Sequence, residues 1–101
     1  MSFTLLVTSV GGEFGPQLIQ YAQKSTRHNI KVVGVDASSN AIGRHYADTF
    51  EKVPFGNQKD YVQAILEIIE RNQVDLILPT SDEEALALSK EKINIEKTGA
   101  T

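Results

Sequence analysis

The sequence predicts an α/β domain built on a short parallel sheet, and three observations carry that prediction. Residues 3–15 (FTLLVTSVGGEFG) read as a buried strand running into a glycine-rich turn that opens a helix. A second apolar run ending on an acid, Lys31-Val32-Val33-Gly34-Val35-Asp36, follows one helix later. A third, Asp75-Leu76-Ile77-Leu78-Pro79, comes after a strongly helical stretch. Strands alternating with helices in this way call for a parallel sheet covered on both faces.

Each element has its own signal. The run Leu5, Leu6, Val7 suits an interior parallel strand. Gly11, Gly12 and Gly15 remove side chains where the backbone turns and where strand and helix approach closely. Pro16 suits a first helical position, where its missing N–H has no partner to lose. Leu18, Ile19 and Ala22 then form an apolar stripe, predicting a helix over 17–27. With the strand at 31–36 this completes a β-α-β unit with a right-handed crossover.

The loop over 37–43 holds Ser38, Ser39 and Asn40 as turn formers, and 44–48 reads as one short helical turn. A short strand over 49–53 is closed by Pro54. Over 58–72 the pattern is helical, with Tyr61, Val62, Ile65, Leu66, Ile68 and Ile69 on one broad face. The strand over 75–79 reads as buried on both sides. Thr80 with Glu83, or Ser81 with Glu84, fits a capping box for a last helix running to about Lys92. Residues 93–101 read as a polar, loosely held tail. The sum is a Rossmann-like three-layer α/β domain with about four parallel strands in the order 3-2-1-4 and a ligand crevice at the carboxyl ends of strands one and four.

Composition narrows the function classes. At 101 residues with 41% hydrophobic positions, the chain is one domain with a modest core. A formal net charge of -3 gives no support for nucleic-acid or anionic-membrane partners. There is no cysteine, which excludes disulfides, thiol catalysis and thiolate metal sites. No basic segment precedes the first apolar run, so a signal peptide is not expected, and the expectation is a cytoplasmic protein.

The candidate site residues lie at strand ends. The turn carrying Gly11, Gly12 and Glu13 matches the dinucleotide fingerprint only in part, because Val10 stands where its first glycine belongs. Thr8, Gly12 and Gly15 fit the turn of short-chain dehydrogenases, but Ser9 replaces its first glycine. Glu13 would set a carboxylate where a pyrophosphate lies. Asp36 stands about twenty residues beyond the turn, where a dinucleotide fold keeps its ribose-binding acid, or else it caps its own loop through Ser38 or Ser39. Thr80, Ser81 and Asp82 either cap the last helix or offer hydrogen bonds to a polar substrate. His28 and His45 lack ligand spacing, and Arg44 reads as solvated. No constellation of catalytic residues is present, and no metal site.

Three segments together, LLVTSVGGEFG, VVGVDASSNAIGRHYADTFEKVP and DLILPTSDEEALALS, resemble the N-terminal (pre-ATP-grasp) domain of ATP-grasp enzymes. The likeness is to the carboxylate–amine ligases similar to the carbamoyl-phosphate synthase large chain, and it runs over 3–88. The stretches from Asp36 through Gly43-Arg44 and Ala47-Asp48 to Val53-Pro54, and Pro79-Thr80-Ser81-Asp82-Glu83, carry it most specifically. The resemblance implies an enzyme that activates a carboxylate as an acyl phosphate with MgATP, for attack by an amine. It implies that ATP and magnesium are held mainly by following subdomains of the same polypeptide, and that this chain has no cofactor and no catalytic residue of its own. It also implies that the small-molecule carboxylate or amine faces Gly11, Gly12 and Glu13, and Thr80, Ser81 and Asp82; Asp36, from its place at the end of strand two, is a further substrate-binding candidate. On this reading residues 1–92 are the pre-ATP-grasp domain, and 93–101 begin a linker in a chain excised from a longer protein.

Two other readings stay open. One is an NAD(P)-binding domain of the short-chain dehydrogenase type, resting on Thr8, Gly12, Gly15 and Asp36. The other is a non-catalytic interaction module, for which self-association into a homo-oligomer is expected through apolar surface that a partner subdomain would cover.

Overall fold

The computed structural model describes residues 2–8, 15–24, 29–38 and 47–101. The chain forms β1 (Ser2–Val7), α1 (Gly15–Gln23), β2 (Asn29–Asp36), β3 (Thr49–Lys52), α2 (Tyr61–Asn72), β4 (Leu76–Leu78), α3 (Asp82–Ser89) and α4 (Lys92–Glu96). The four strands form one parallel sheet in the order β3-β2-β1-β4. This is the fold and strand order that the sequence predicts. Residues 8, 36 and 80 therefore meet at the carboxyl edge of the sheet, with Asp36 one strand from Thr8 on the side opposite Thr80.

Strand alternation sorts the core into two layers. Leu6, Val33 and Val35 point to one face and pack with Tyr61, Ile65 and Ile69 of α2. Leu5, Val7 and Val32 point to the other face and pack with Ile19 of α1. Helices thus cover both faces of the sheet.

Two aspartates fix the strand register from outside the ladder. The Asp48 N–H donates to the Val32 carbonyl at 3.0 Å, and the Asp48 Oδ2 accepts from the Val32 N–H at 2.8 Å. Asp75 repeats the arrangement on Thr4, with distances of 2.9 and 2.8 Å. Each acid satisfies both backbone groups of a strand residue just ahead of the strand that pairs with it, so the incoming chain adds without a slip.

The structure revises several boundaries. The first helix ends at Gln23 rather than at Arg27, and Lys24 closes its last turn by donating to the Tyr21 carbonyl at 3.3 Å. Helix α2 starts at Tyr61 because residues 55–61 form turns, with Gln58 N–H donating to Phe55 O and Tyr61 N–H to Gln58 O. Its far end is closed by Gln73 in the left-handed conformation (φ 54°), whose N–H bonds the Ile69 carbonyl. The expected helical turn over 44–48 falls largely outside the described residues; Ala47 and Asp48 form a bend.

Two corrections concern the carboxyl-terminal third. The strand over 75–79 is not buried on both sides: β4 is the sheet's edge strand, and Leu76 is 39% exposed. The last helix ends at Ser89, and residues 93–101 are not loosely held. Helix α4 packs on α3, Ile95 and Ala100 are buried in the α2-side core, and Thr101 N–H donates to Asp75 O at 3.1 Å. A lone buried isoleucine in a short helix makes no periodic pattern, which is why composition reads this stretch as polar.

Candidate functional site

The carboxyl ends of β1 and β4 are joined by Thr8 and Thr80. Thr8 is fully buried, and its N–H donates to Leu78 O at 3.3 Å. Thr8 Oγ1 accepts from the Thr80 N–H at 3.1 Å, and Thr80 Oγ1 donates to the Thr8 carbonyl at 2.7 Å. This side-chain pair extends the β1–β4 ladder past the last strand residue, where parallel pairing would otherwise fray. The backbone at 80–82 is thereby held against the end of β1.

Ser81 caps α3. Its Oγ accepts from the Glu84 N–H at 3.4 Å and donates to Glu84 Oε1 at 2.7 Å. Of the two capping boxes the sequence offered, the Ser81–Glu84 pair forms. Glu84 is 6% exposed, and its Oε2 accepts from the Tyr61 hydroxyl at 3.0 Å. Burial first, and then the Glu84 carboxylate, push the Tyr61 phenol well above its ordinary range. The Phe55-Gly56 turn closes over this pair: a Cβ on Gly56 would stand 3.0 Å from Glu84 Cγ and 3.3 Å from Glu84 N. The start of α2, the 55–57 turn and the start of α3 are thus one interlocked unit.

Among the sequence-predicted site residues, Thr80 and Ser81 are brought to the end of β1 by these bonds, and Asp82 opens α3 as an exposed carboxylate. Asp36 ends β2, and its Oδ1 accepts from Ser38 N–H at 2.9 Å, so it does cap its own loop. Gly11, Gly12 and Glu13, with Arg44, His28 and His45, lie outside the described residues. Tyr61 and Glu84 are not among the sequence-predicted site residues. Only the capping-box spacing of Glu84 hinted at its role, because the contact to Tyr61 spans 23 positions.

The arrangement limits the chemistry. Asp82, Glu83 and Glu84 fill the first turn of α3, where they suit the helix dipole and oppose a bound anion. Thr80 and Ser81 supply hydroxyls already committed to backbone and carboxylate partners. Among the described residues no group of three or more His, Asp or Glu side chains could hold a metal ion, and no helix is long and apolar enough to cross a membrane. Among the described residues this edge can position polar groups and a cation, and none of them is a poised nucleophile or base.

Comparison with known proteins decides the family. The sequence matches the family described as "PylC-like, N-terminal domain" over residues 5–101. The chain belongs to that family. PylC-like N-terminal domains are the pre-ATP-grasp domains of PylC-like ATP-grasp ligases. No curated protein matches the sequence. Among solved structures, the fold is similar to a crystal structure of the Bordetella bronchiseptica enzyme WbmH in complex with NAD+, with a TM-score of 0.60 and 16% identity. That match covers 92% of this chain and 37% of the other, so the chain spans little more than a third of that enzyme. At this identity the likeness is one of fold alone. This chain and that enzyme share a Rossmann-like parallel-sheet fold.

Proposed function

We propose that this PylC-like domain is the substrate-side N-terminal domain of an ATP-grasp ligase that joins a carboxylate to an amine through an acyl phosphate. The observation that carries the reading is the family match across 5–101. The carboxylate–amine chemistry rests on the resemblance to ligases similar to the carbamoyl-phosphate synthase large chain. In this reading MgATP is held by the ATP-grasp subdomains of the same polypeptide, and this domain closes one side of the active site.

The loop at Thr80, Ser81 and Asp82 faces the acceptor. The acidic first turn of α3 supports an amine or other cationic group there over a phosphate. Gly11, Gly12 and Glu13 belong to the same reading through the family resemblance. Asp36, engaged with Ser38, serves as a loop closure that holds the end of β2 in place. The partner subdomains are assigned to the β4 side. Leu76, Leu86 and Ile93 are exposed there, and a cavity of about 240 Å³ opens between Ile77, Pro79, Ala85, Leu88 and Ile95.

The test is ATP turnover. This chain alone is expected to release no ADP with any carboxylate and amine, whereas the full-length ligase releases ADP only when both are present. Turnover by the isolated chain would overturn the assignment.

A further inference from the structure

The carboxyl ends of β2 and β3 carry a second cleft, on the other side of β1 from the Thr8–Thr80 pair. It measures about 420 Å³ and is lined by Ala37, Lys52, Val53, Pro54 and Phe55. That volume lies within the range of small-ligand sites. Val53 is buried and forms an apolar floor, tied to the sheet by its N–H donating to Asp36 O at 3.0 Å. Phe55 is 66% exposed.

This aromatic ring is displayed from a fixed frame. Phe55 O accepts from Gln58 N–H at 3.0 Å, and the neighbouring Gly56 is wedged against Glu84, with no room for a side chain. Lys52, the last residue of β3, is exposed at the rim and makes no ion pair among the described residues. Its register neighbour Asp36 keeps one carboxylate oxygen on Ser38 N–H. An exposed aromatic side chain, a cation at the end of β3 and an apolar floor are the parts of a site for a flat, negatively charged molecule.

We propose that this cleft binds a small aromatic anion, a flat ring bearing one carboxylate or phosphate. The ring lies against Phe55 and Pro54, and the anionic group meets the Lys52 ammonium. The site stands apart from residues 80–82 and does not depend on the ligase reading.

The experiment is a backbone-amide NMR titration of the whole chain with benzoate, phenyl phosphate and inorganic phosphate. Both aromatic anions are expected to give saturable shifts at Ala37, Val53 and Phe55, while inorganic phosphate saturates none of them. Phe55→Ala and Lys52→Met change exposed side chains outside the core, and each is expected to weaken binding about 5-fold. No saturation by either aromatic anion up to about 10 mM would overturn the site. So would undiminished affinity in both variants, or equal shifts with inorganic phosphate.

Discussion

Thr8 and Thr80, 72 positions apart, hydrogen-bond to each other through both hydroxyls: each side chain engages the other residue's backbone. The pair joins the end of β1 to the loop that opens α3, so the geometry of residues 80–82 depends on a side chain buried at the end of β1. Thr8→Val keeps the shape and removes the acceptor, leaving the Thr80 N–H without it. The expected loss is about 1–3 kcal/mol. Chemical denaturation measures it, and amide shifts should change at 80–82 more than in α1.

Tyr61 and Glu84 make the second long-range contact at this edge. Tyr61→Phe withdraws the donor from a buried carboxylate and is expected to cost about 1–3 kcal/mol. The phenol is raised in the folded state, so its stabilising contribution is complete below the ordinary tyrosine value of 10.0 and is lost as pH rises beyond it. Unfolding followed at increasing alkalinity should show wild type losing stability where Tyr61→Phe is flat by comparison.

Glu51 gives the opposite sign. Burial pushes its carboxyl up, but hydrogen bonds from Arg71 and Asn72, with the Arg71 charge, outweigh that and hold it below 4.5. Its contribution is therefore present above the unfolded-state value and is lost as pH falls through the folded one. Glu51→Gln should flatten the acid limb of the stability curve by a small amount and lower neutral-pH stability by about as much, since Arg71 is solvent-exposed and the pair is screened. Acid titration of both proteins by circular dichroism checks this.

Gln73 closes α2 with a left-handed backbone that suits glycine better than any side chain. Gln73→Gly is expected to raise stability by about 0.5–1 kcal/mol, read as a higher denaturation midpoint with an unchanged slope.

The dinucleotide reading makes a separate demand. If this PylC-like domain works on the substrate side of a ligase, NADH and NADPH should produce no saturable amide shifts around Thr8 at the end of β1, away from the cleft at Ala37 and Phe55. Saturation there would favour a dehydrogenase-type domain, the reading that Thr8, Gly12, Gly15 and Asp36 left open.

Much of this fold is legible in the sequence, because strands with apolar alternation and a long amphipathic α2 leave strong periodic signals. The order β3-β2-β1-β4 follows once the crossovers are required to be right-handed. The capping box at Ser81 and Glu84 is legible for the same reason: its parts are local. What sequence does not carry is contact between distant residues. Nothing near Tyr61 announces Glu84, and nothing in an apolar Leu76-Ile77-Leu78 run distinguishes an edge strand from a central one. Ile95 and Ala100 show the same limit, since two buried residues in a polar stretch make no pattern until the core they fill is in place.

If these residues are the front domain of an ATP-grasp ligase, the reading frame beyond Thr101 in the source gene is the first thing to determine. The frame is expected to continue for a length several times this domain, with lysine-bearing strands for ATP and a late pair of acids suited to magnesium. A stop codon directly after Thr101 would contradict it, because the polypeptide would then lack the subdomains that hold ATP.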